Sequence, residues 1–317
     1  MKMNTMKNSS TSSDLLKHVK YQHLVAGVSG GVASSLILHP LDLIKIRFAV
    51  NDGRTAAVPR YNGLSSAFMT IVKQEGFRGL YRGVTPNVWG SGSAWGLYFL
   101  FYNTSKGWLQ SGNTSVALAP YVHYLAATQA GMLSLLMTNP LWVVKTRLCL
   151  QNDSEHLGDK KYKGMVDGLT KIYKNEGIRG LYKGFVPGMF GVTHGALQFM
   201  AYEEMKNSYN LYRNLPIDCK LTTLEYIFFA ATSKLVAAGA TYPYQVVRAR
   251  IQDHHRSYNG VWHCITETWR YEGWRGFYKG LKPSLVRVVP ATVITFLTYE
   301  NVSHLMLRRG RDIALPA

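Results

Sequence analysis

Long uncharged stretches alternate along the chain with short polar connections. No Asp, Glu, Lys or Arg occurs from Tyr21 to Leu41, from Gly83 to Ser105, from Trp108 to Val144 or from Gly184 to Tyr202. A bilayer core takes about 20 apolar residues per helix, so each stretch is long enough to cross one. Two further apolar stretches follow, and each carries one basic residue, Lys234 and Arg287. Helices are therefore predicted near 22–50, 84–106, 121–150, 185–208, 222–252 and 282–305. Six crossings return both termini to one side. Between the first two, Leu64, Phe68, Ile71 and Val72 fall at helical spacing, which predicts a short amphipathic helix lying against the membrane.

The polar positions repeat. PLDLIKIR begins at Pro40, PLWVVKTR at Pro140 and PYQVVRAR at Pro243. EGFRGLYRG follows from Glu75, EGIRGLYKG from Glu176 and EGWRGFYKG from Glu272, with RYNG at Arg60, KYKG at Lys161 and SYNG at Ser257 in between. Three ordered anchors recurring three times define an internal repeat. The expected organisation is a disordered tail over 1–20, repeats over 21–112, 113–215 and 216–309 forming one transmembrane domain, and a C-terminal tail over 310–317. Residues 1–20 lack the apolar run of a secretory signal and the Arg of a transit peptide. A soluble array of helical repeats also has periodic Pro and Gly, but uncharged runs of this length argue against it.

Composition sharpens this picture. Charged residues make up 17% and hydrophobic ones 47%, where soluble proteins carry about 25% charged. Yet a mean hydropathy of −0.07 is too low for a bundle wholly bathed in lipid. Helices with one face to lipid and another to water reconcile the two. The net charge of +18 suits anionic lipid, anionic solutes or nucleic acid. The bases are scattered between apolar segments without a zinc-finger, RRM or basic-zipper pattern, so nucleic acid is set aside. Cys149, Cys219 and Cys264 are too far apart in sequence for a disulfide framework or a CxxC site. His254 and His255 are adjacent, which is not metal-ligand spacing on a helix or strand, and read as surface histidines in a polar loop. No Ser-His-acid set, metal cluster or phosphate loop speaks for an enzyme.

Counting from each proline gives three helical stripes: Gly31, Ser35, Leu38, Asp42 and Lys45; Gly131, Leu135, Thr138, Trp142 and Lys145; Lys234, Ala238, Thr241, Gln245 and Arg248. Charges this deep in a membrane are costly unless they face water or one another. Acid and base just after the proline thus suggest a ring of contacts between helices, closing one end of a central cavity.

This pattern resembles the mitochondrial carrier family, whose signature is Pro-x-acid-x-x-base-x-base followed by acid-Gly-x4-aromatic-base-Gly. The resemblance covers about residues 20–306. It implies an all-α membrane protein with six transmembrane helices in three pseudo-symmetric repeats, short matrix amphipathic helices, and alternating access in the mitochondrial inner membrane. It also implies a matrix gate in which the acid of one odd helix pairs with the base of the next, as Asp42 with Lys145. Trp142 and Gln245 stand where the other acids belong. Trp142 is expected to stack on Arg248, a cation–π contact of about 0.5–2 kcal/mol. Gln245 is expected to accept a hydrogen bond from Lys45, worth about 0.5–1.5 kcal/mol. The even helices carry aromatic-acid-x-x-base, which implies a cytoplasmic gate of Lys106–Glu203 and Lys206–Glu300, with Asn103 and Ser303 departing from the pattern.

For the cargo, Arg287 stands seven residues after Gly280, at the family's third contact position. The same count after Gly83 reaches Gly90, which leaves room for something large. Lys234 lies on an axial stripe, Trp95 is an aromatic for stacking, and the corresponding region of the fourth helix holds Gly191 and His194. Two bases and an aromatic suggest a large planar anion. PLW, YKGFVPGMFGVTHGALQFMAYE, ATYPYQVVRARIQD and YENVSH are similar to the branch moving folate and FAD, which implies these as cargo, not as bound cofactors. NAD or pyrimidine nucleotides are the alternative. The family further implies a monomer with cardiolipin as a lipid partner.

Overall fold

The computed structural model describes residues 8–54, 61, 63–109, 120–151, 162–214, 216 and 221–314. Their regular structure is entirely helical. Six long helices carry the uncharged stretches: α1 (Asn8–Val50), α3 (Val84–Leu109), α4 (Pro120–Leu150), α6 (Phe185–Tyr212), α7 (Thr223–Gln252) and α9 (Leu281–Ala314). Three short ones connect them in pairs: α2 (Leu64–Gly79), α5 (Met165–Leu181) and α8 (Val261–Gly276). Pro40, Pro140 and Pro243 lie inside α1, α4 and α7, where each removes a backbone hydrogen bond.

The predicted helices are found, with two extensions. α1 starts at Asn8, inside the segment expected to be a disordered tail, and α9 continues into the expected C-terminal tail. No Pro or Gly separates Asn8 from Ala26, so nothing stops the helix. Residues 1–7 and 315–317, and the anchor residues Arg60, Asn62 and Lys161, lie outside the described residues.

Among the described residues, only Gly27–Val50 and Leu281–Met306 are continuously apolar enough to cross a membrane by composition alone. The other long helices mix Gly, Ser, Thr and Asn into one face, which dilutes their mean hydropathy. Their outer faces carry large bare side chains, such as Trp89, Phe99 and Leu100 on α3, or Phe190, Phe199 and Met200 on α6. Water-exposed proteins rarely show such contiguous apolar surface; lipid accounts for it.

The chain packs as two compact units, one comprising His39–Val288 and the other joining α1 up to Leu38 with α9 from Val289. In the latter, a Cβ on Gly30 would lie 2.7 Å from the Thr295 carbonyl oxygen, and Ser34 Oγ donates to Ala291 O at 3.4 Å. Small residues let these two backbones approach closely.

In the larger unit the buried core sits at the proline end. Leu43 and Ile44 of α1 pack on Ala67 and Ile71 of α2, and Val143, Val144 and Leu148 of α4 pack on Ile172 of α5. Ala49, Val50, Leu150, Tyr242, Val246 and Ala249 fill the point where α1, α4 and α7 meet.

Three buried arginines fasten this junction. Arg47 binds both oxygens of Glu75, the second from Nη2 at 2.9 Å, while its Nε donates to Cys149 O at 2.9 Å. Arg147 binds both oxygens of Glu176, with Nη2 at 2.8 Å, and its Nε donates to Gln252 O at 3.1 Å. Arg250 binds Glu272 at 2.5 and 2.9 Å, and its Nε donates to Ala49 O at 3.0 Å. Each arginine thus ties its own repeat to the next, and the third returns to the first. A second cation supports every carboxylate: Arg82 at 3.1 Å from Glu75, Lys183 at 2.8 Å from Glu176 and Lys279 at 2.5 Å from Glu272.

The same cyclic order governs Gly83, Gly184 and Gly280, whose φ of 79°, 74° and 86° lies in the left-handed region. A Cβ at these positions would lie 3.0, 3.2 and 2.7 Å from the carbonyl oxygens of Lys145, Arg248 and Lys45 respectively. Glycine is therefore required twice over, by the turn and by the neighbouring helix.

The buried pairs should dominate stability. The Arg47 and Glu75 side chains are 2% and 0% exposed, and leaving one such charge unpaired costs about 3–5 kcal/mol. Glu75→Gln is expected to lose that much. Asp167→Asn, which breaks an exposed pair with Lys171 at 3.3 Å, should cost under about 0.5 kcal/mol. Thermal unfolding of both purified variants in detergent checks the contrast, and equal shifts would contradict it. Acid acts on the same clusters. Burial alone would raise the Glu176 carboxyl, but hydrogen bonds from Arg147 and Lys183 outweigh it and hold the group down to about 2. Burial likewise opposes, and Arg250 with Lys279 outweighs, in lowering Glu272. Carboxylates depressed when folded contribute fully above their unfolded value of about 4.3 and lose that contribution as pH falls. The melting temperature should therefore decline through the interval from about pH 4.5 to 2, and a flat profile there would refute the linkage.

Candidate functional site

Beyond the prolines, α1, α4 and α7 turn their polar stripes toward one another. Asp42, 6% exposed, has Lys145 Nζ 3.9 Å from one oxygen and Arg287 Nε 2.9 Å from the other. That Nε makes no hydrogen bond, so Arg287 meets Asp42 by charge rather than by an aligned N–H. Lys45 Nζ donates to Gln245 Oε1 at 2.7 Å, as expected, and stands 5.6 Å from the Tyr242 ring. Lys45, Trp142, Lys145, Tyr244, Gln245 and Arg248 are among the residues lining a polar cavity of about 250 Å³.

One expected contact is replaced. Trp142 does not stack on Arg248; its ring takes the Lys145 ammonium at 5.3 Å, and its Nε1 donates to Thr138 Oγ1 at 3.2 Å. Arg248 is drawn the other way. Its stem lies along Gly184 and Gly188, where absent side chains leave a channel, and its Nη2 donates to Asn139 Oδ1 at 3.4 Å.

The cargo candidates divide. Lys234, half-buried, is close enough to Arg287 and His194 for their charges to interact. His194 Nδ1 is 2.9 Å from Thr241 Oγ1, bridging α6 to α7. Gly90 does not leave open room: the Trp142 indole lies 3.6 Å from where its Cβ would be. Gly191 is similarly filled, with Tyr244 Oη 2.9 Å from a would-be Cβ. Trp95 follows Gly90 by five residues, about 140° around a helix. It is 64% exposed and stacks on Phe99 at 5.8 Å.

At the opposite end of the larger unit the expected Lys106–Glu203 pair is not made. Glu203 turns to Lys206 on its own helix at 3.9 Å. Here α3 and α6 are bound to their sequence neighbours instead. Tyr102 Oη is 2.8 Å from His123 Nδ1 on α4, and Glu225 of α7 accepts from Tyr209 Oη at 2.5 Å and from Arg213 at 3.0 Å. Asn103 is exposed. In the other unit, Glu300 is exposed and Ser303 is buried.

Several residues escaped the sequence reading. The ring of Arg47, Arg147 and Arg250 with Glu75, Glu176 and Glu272 was signalled by identical placement in every repeat. The residue before each proline has one task in three chemistries. His39 Nε2 lies 2.8 Å from Arg82 O, Asn139 Nδ2 donates to Leu181 O at 3.0 Å, and Tyr242 Oη donates to Lys279 O at 3.2 Å. The expectation of surface histidines at 254 and 255 is overturned, since their side chains are 10% and 5% exposed. Helix α7 has ended at Gln252, and the irregular backbone beyond turns both rings inward.

Comparison with known proteins agrees with this architecture. The family model for mitochondrial carrier protein matches three times, at residues 17–113, 117–213 and 220–310. The chain is 43% identical over 298 residues to folate transporter 1, chloroplastic, of Arabidopsis thaliana, covering 90% of this chain and 96% of the relative. It is 38% identical over 288 residues to nicotinamide adenine dinucleotide transporter 1, chloroplastic, of the same plant, covering 89% and 91%. It is 30% identical over 304 residues to the mitochondrial FAD carrier protein of Saccharomyces cerevisiae, covering 89% and 96%. With three matched repeats, an all-helical fold and relatives aligned over nearly their full length, the chain belongs to the mitochondrial carrier protein family and is a membrane transporter rather than an enzyme.

Proposed function

We propose that this transporter carries FAD, tetrahydrofolate or both across the mitochondrial inner membrane into the matrix by alternating access. The observation that carries the reading is the charge at the centre. A single carboxylate, Asp42, faces Lys45, Lys145 and Arg287, and Lys234 adds a fourth cation within reach of Arg287. Such an excess favours a cargo with more than one negative charge. Folate and flavin adenine dinucleotide each join a planar heterocycle to an anionic tail. The names of the relatives support this pair.

Arg287 has two roles in this reading. Its side chain is 32% exposed, and an anionic group of the cargo can draw it from Asp42. That leaves Lys145, at 3.9 Å, and Lys45 of the same helix against Asp42, with only Lys145 bridging α1 to α4. Cargo binding thus loosens the matrix gate, and the two states bind cargo differently, as a shift in their populations requires. Trp142, which lines the cavity, is the aromatic suited to the heterocycle. Trp95, exposed and turned away from Gly90, suits an interfacial anchor. Glu203, turned to Lys206 at 3.9 Å and not to Lys106, supports a state in which that contact of the cytoplasmic gate is not engaged. Cardiolipin as a lipid partner and a monomeric working state belong to the same proposal.

A second reading is NAD or a pyrimidine nucleotide as cargo. It is favoured by the 38% identity to a nicotinamide adenine dinucleotide transporter, and its chemistry of plane and phosphates would use the same residues.

Uptake of labelled FAD, 5-formyl-tetrahydrofolate and NAD into liposomes carrying the purified protein separates these readings. FAD or folate uptake is expected, with Arg287→Ala reducing it about tenfold or more, the loss of a charged hydrogen bond. Uptake of NAD alone would transfer the cargo to the second reading, and no uptake of any would overturn the transport assignment. For the gate, Gln245→Ala removes an interaction of about 0.5–1.5 kcal/mol. It should change the transport rate about two- to tenfold, as should Trp142→Ala. Unchanged kinetics in both variants would remove these residues from the gate.

A further inference from the structure

Beyond the end of α7, three consecutive side chains converge on a buried point that the transport reading leaves unused. Asp253 is 3% exposed. Its Oδ1 lies 2.7 Å from His255 Nδ1 and 3.9 Å from His254 Nδ1. One donor atom from each residue falls within 4.8 Å of the others. His254 is the anomaly. Its side chain is 10% exposed, yet both ring nitrogens are buried without a hydrogen-bond partner. A buried, unpartnered polar atom in a folded protein calls for an occupant.

We propose that Asp253, His254 and His255 bind a divalent transition-metal ion of the zinc class. Two imidazole nitrogens and one carboxylate oxygen are the borderline donors that suit zinc, whereas magnesium and calcium favour all-oxygen sites. At metal–ligand distances of about 2.0–2.2 Å, tetrahedral donors stand roughly 3.3–3.5 Å apart. The gaps from Asp253 Oδ1 of 2.7 and 3.9 Å straddle that value, and with the two imidazole rings 3.8 Å apart between centroids an ion would be bound by rotating the rings so that one nitrogen of each turns to it. Adjacent residues on a helix or strand could not converge in this way. These can, because the backbone after Gln252 is irregular. Three protein ligands leave a fourth position for water or another small ligand, as in an exchangeable site rather than a closed structural one.

The position gives the ion a consequence. The His254 ring meets Tyr162 edge-on at 5.9 Å. Tyr162 Oη accepts from Arg147 at 3.2 Å, and Arg147 Nε donates to the Gln252 carbonyl next to the site. A bound ion therefore stiffens the junction between the ends of α4 and α7. On the alternating-access reading, on which this one clause rests, zinc slows the opening of the matrix side. Binding itself does not depend on that reading.

Cobalt(II) titration of the purified, chelator-stripped full chain tests the binding. Saturable visible d–d absorption at one equivalent, displaced by zinc, is expected. His254→Ala and Asp253→Asn should weaken the affinity on the order of tenfold or more, while His263→Ala, at an exposed histidine nearby, leaves it unchanged. His254→Asn keeps a polar side chain of similar reach and guards against misfolding. Its melting temperature in chelator should match the parent's, and zinc should raise the parent's alone. Absence of saturable binding in the parent, or an affinity in both His254 variants equal to the parent's, would overturn the site. Transport of any cargo is not needed for either result.

Discussion

A guanidinium out of reach of water must have its N–H groups and its charge satisfied by the protein around it, and Arg47, Arg147 and Arg250 stand where α1, α4 and α7 end. Each meets this demand with a carboxylate from its own repeat and a backbone carbonyl from the next. The rest of the proline end follows from that. α2, α5 and α8 are held against the long helices because their glutamates are fixed points. Gly83, Gly184 and Gly280 then have to pass over the neighbouring helix at backbone contact distance. The ring closes because Arg250 reaches Ala49, so the three repeats are one structure and not a row of modules.

Magnitudes decide what can move. Unpairing a buried arginine costs about 3–5 kcal/mol, and three at once would exceed what a carrier can recover from one small cargo. The contacts further inside the helices are several-fold weaker. Asp42 and Lys145 are 3.9 Å apart, and Lys45 meets a neutral amide, an interaction of about 0.5–1.5 kcal/mol. A conformational cycle that spares the arginine ring and exchanges the inner contacts is the economical one. Trp142 and Gln245 in place of acids weaken the inner ring further, so less cargo binding energy is needed to open it. They also leave cations in excess of Asp42, and on the proposed reading the feature that weakens the gate is the one that attracts an anion.

The order of elements was legible in the sequence because each carries its own signal. Runs without charge marked α3, α4 and α6, and the threefold Pro and Glu-Gly blocks fixed the register of everything between. Lys45–Gln245 was legible through the family pattern, in which the acid position of one odd helix meets the base position of the next. The site was less legible where a side chain has a choice. Arg248 could turn to Trp142 or into the channel beside Gly184 and Gly188, and only packing decides for the channel. Gly90 reads as empty space until Trp142 is placed against it. Arg287 reads as a cargo ligand, and its approach to Asp42 at 2.9 Å places it beside the residue that the family pattern implies for the gate.

His39, Asn139 and Tyr242 show the deeper limit. They are unlike in charge, size and hydropathy, so no pattern of residue types connects them. Yet each satisfies a backbone carbonyl in the turn before α3, α6 or α9. What is repeated there is a requirement of the backbone, that a buried carbonyl be paired, and any side chain with a donor at the right height can meet it. His254 is the reverse case. Its two ring nitrogens are buried with no such requirement around them that the protein itself fulfils. Asn207, Arg248 and Arg287 each leave one buried side-chain atom without a hydrogen-bond partner, but His254 leaves both of its ring nitrogens so, and that contrast is what points to a ligand supplied from outside.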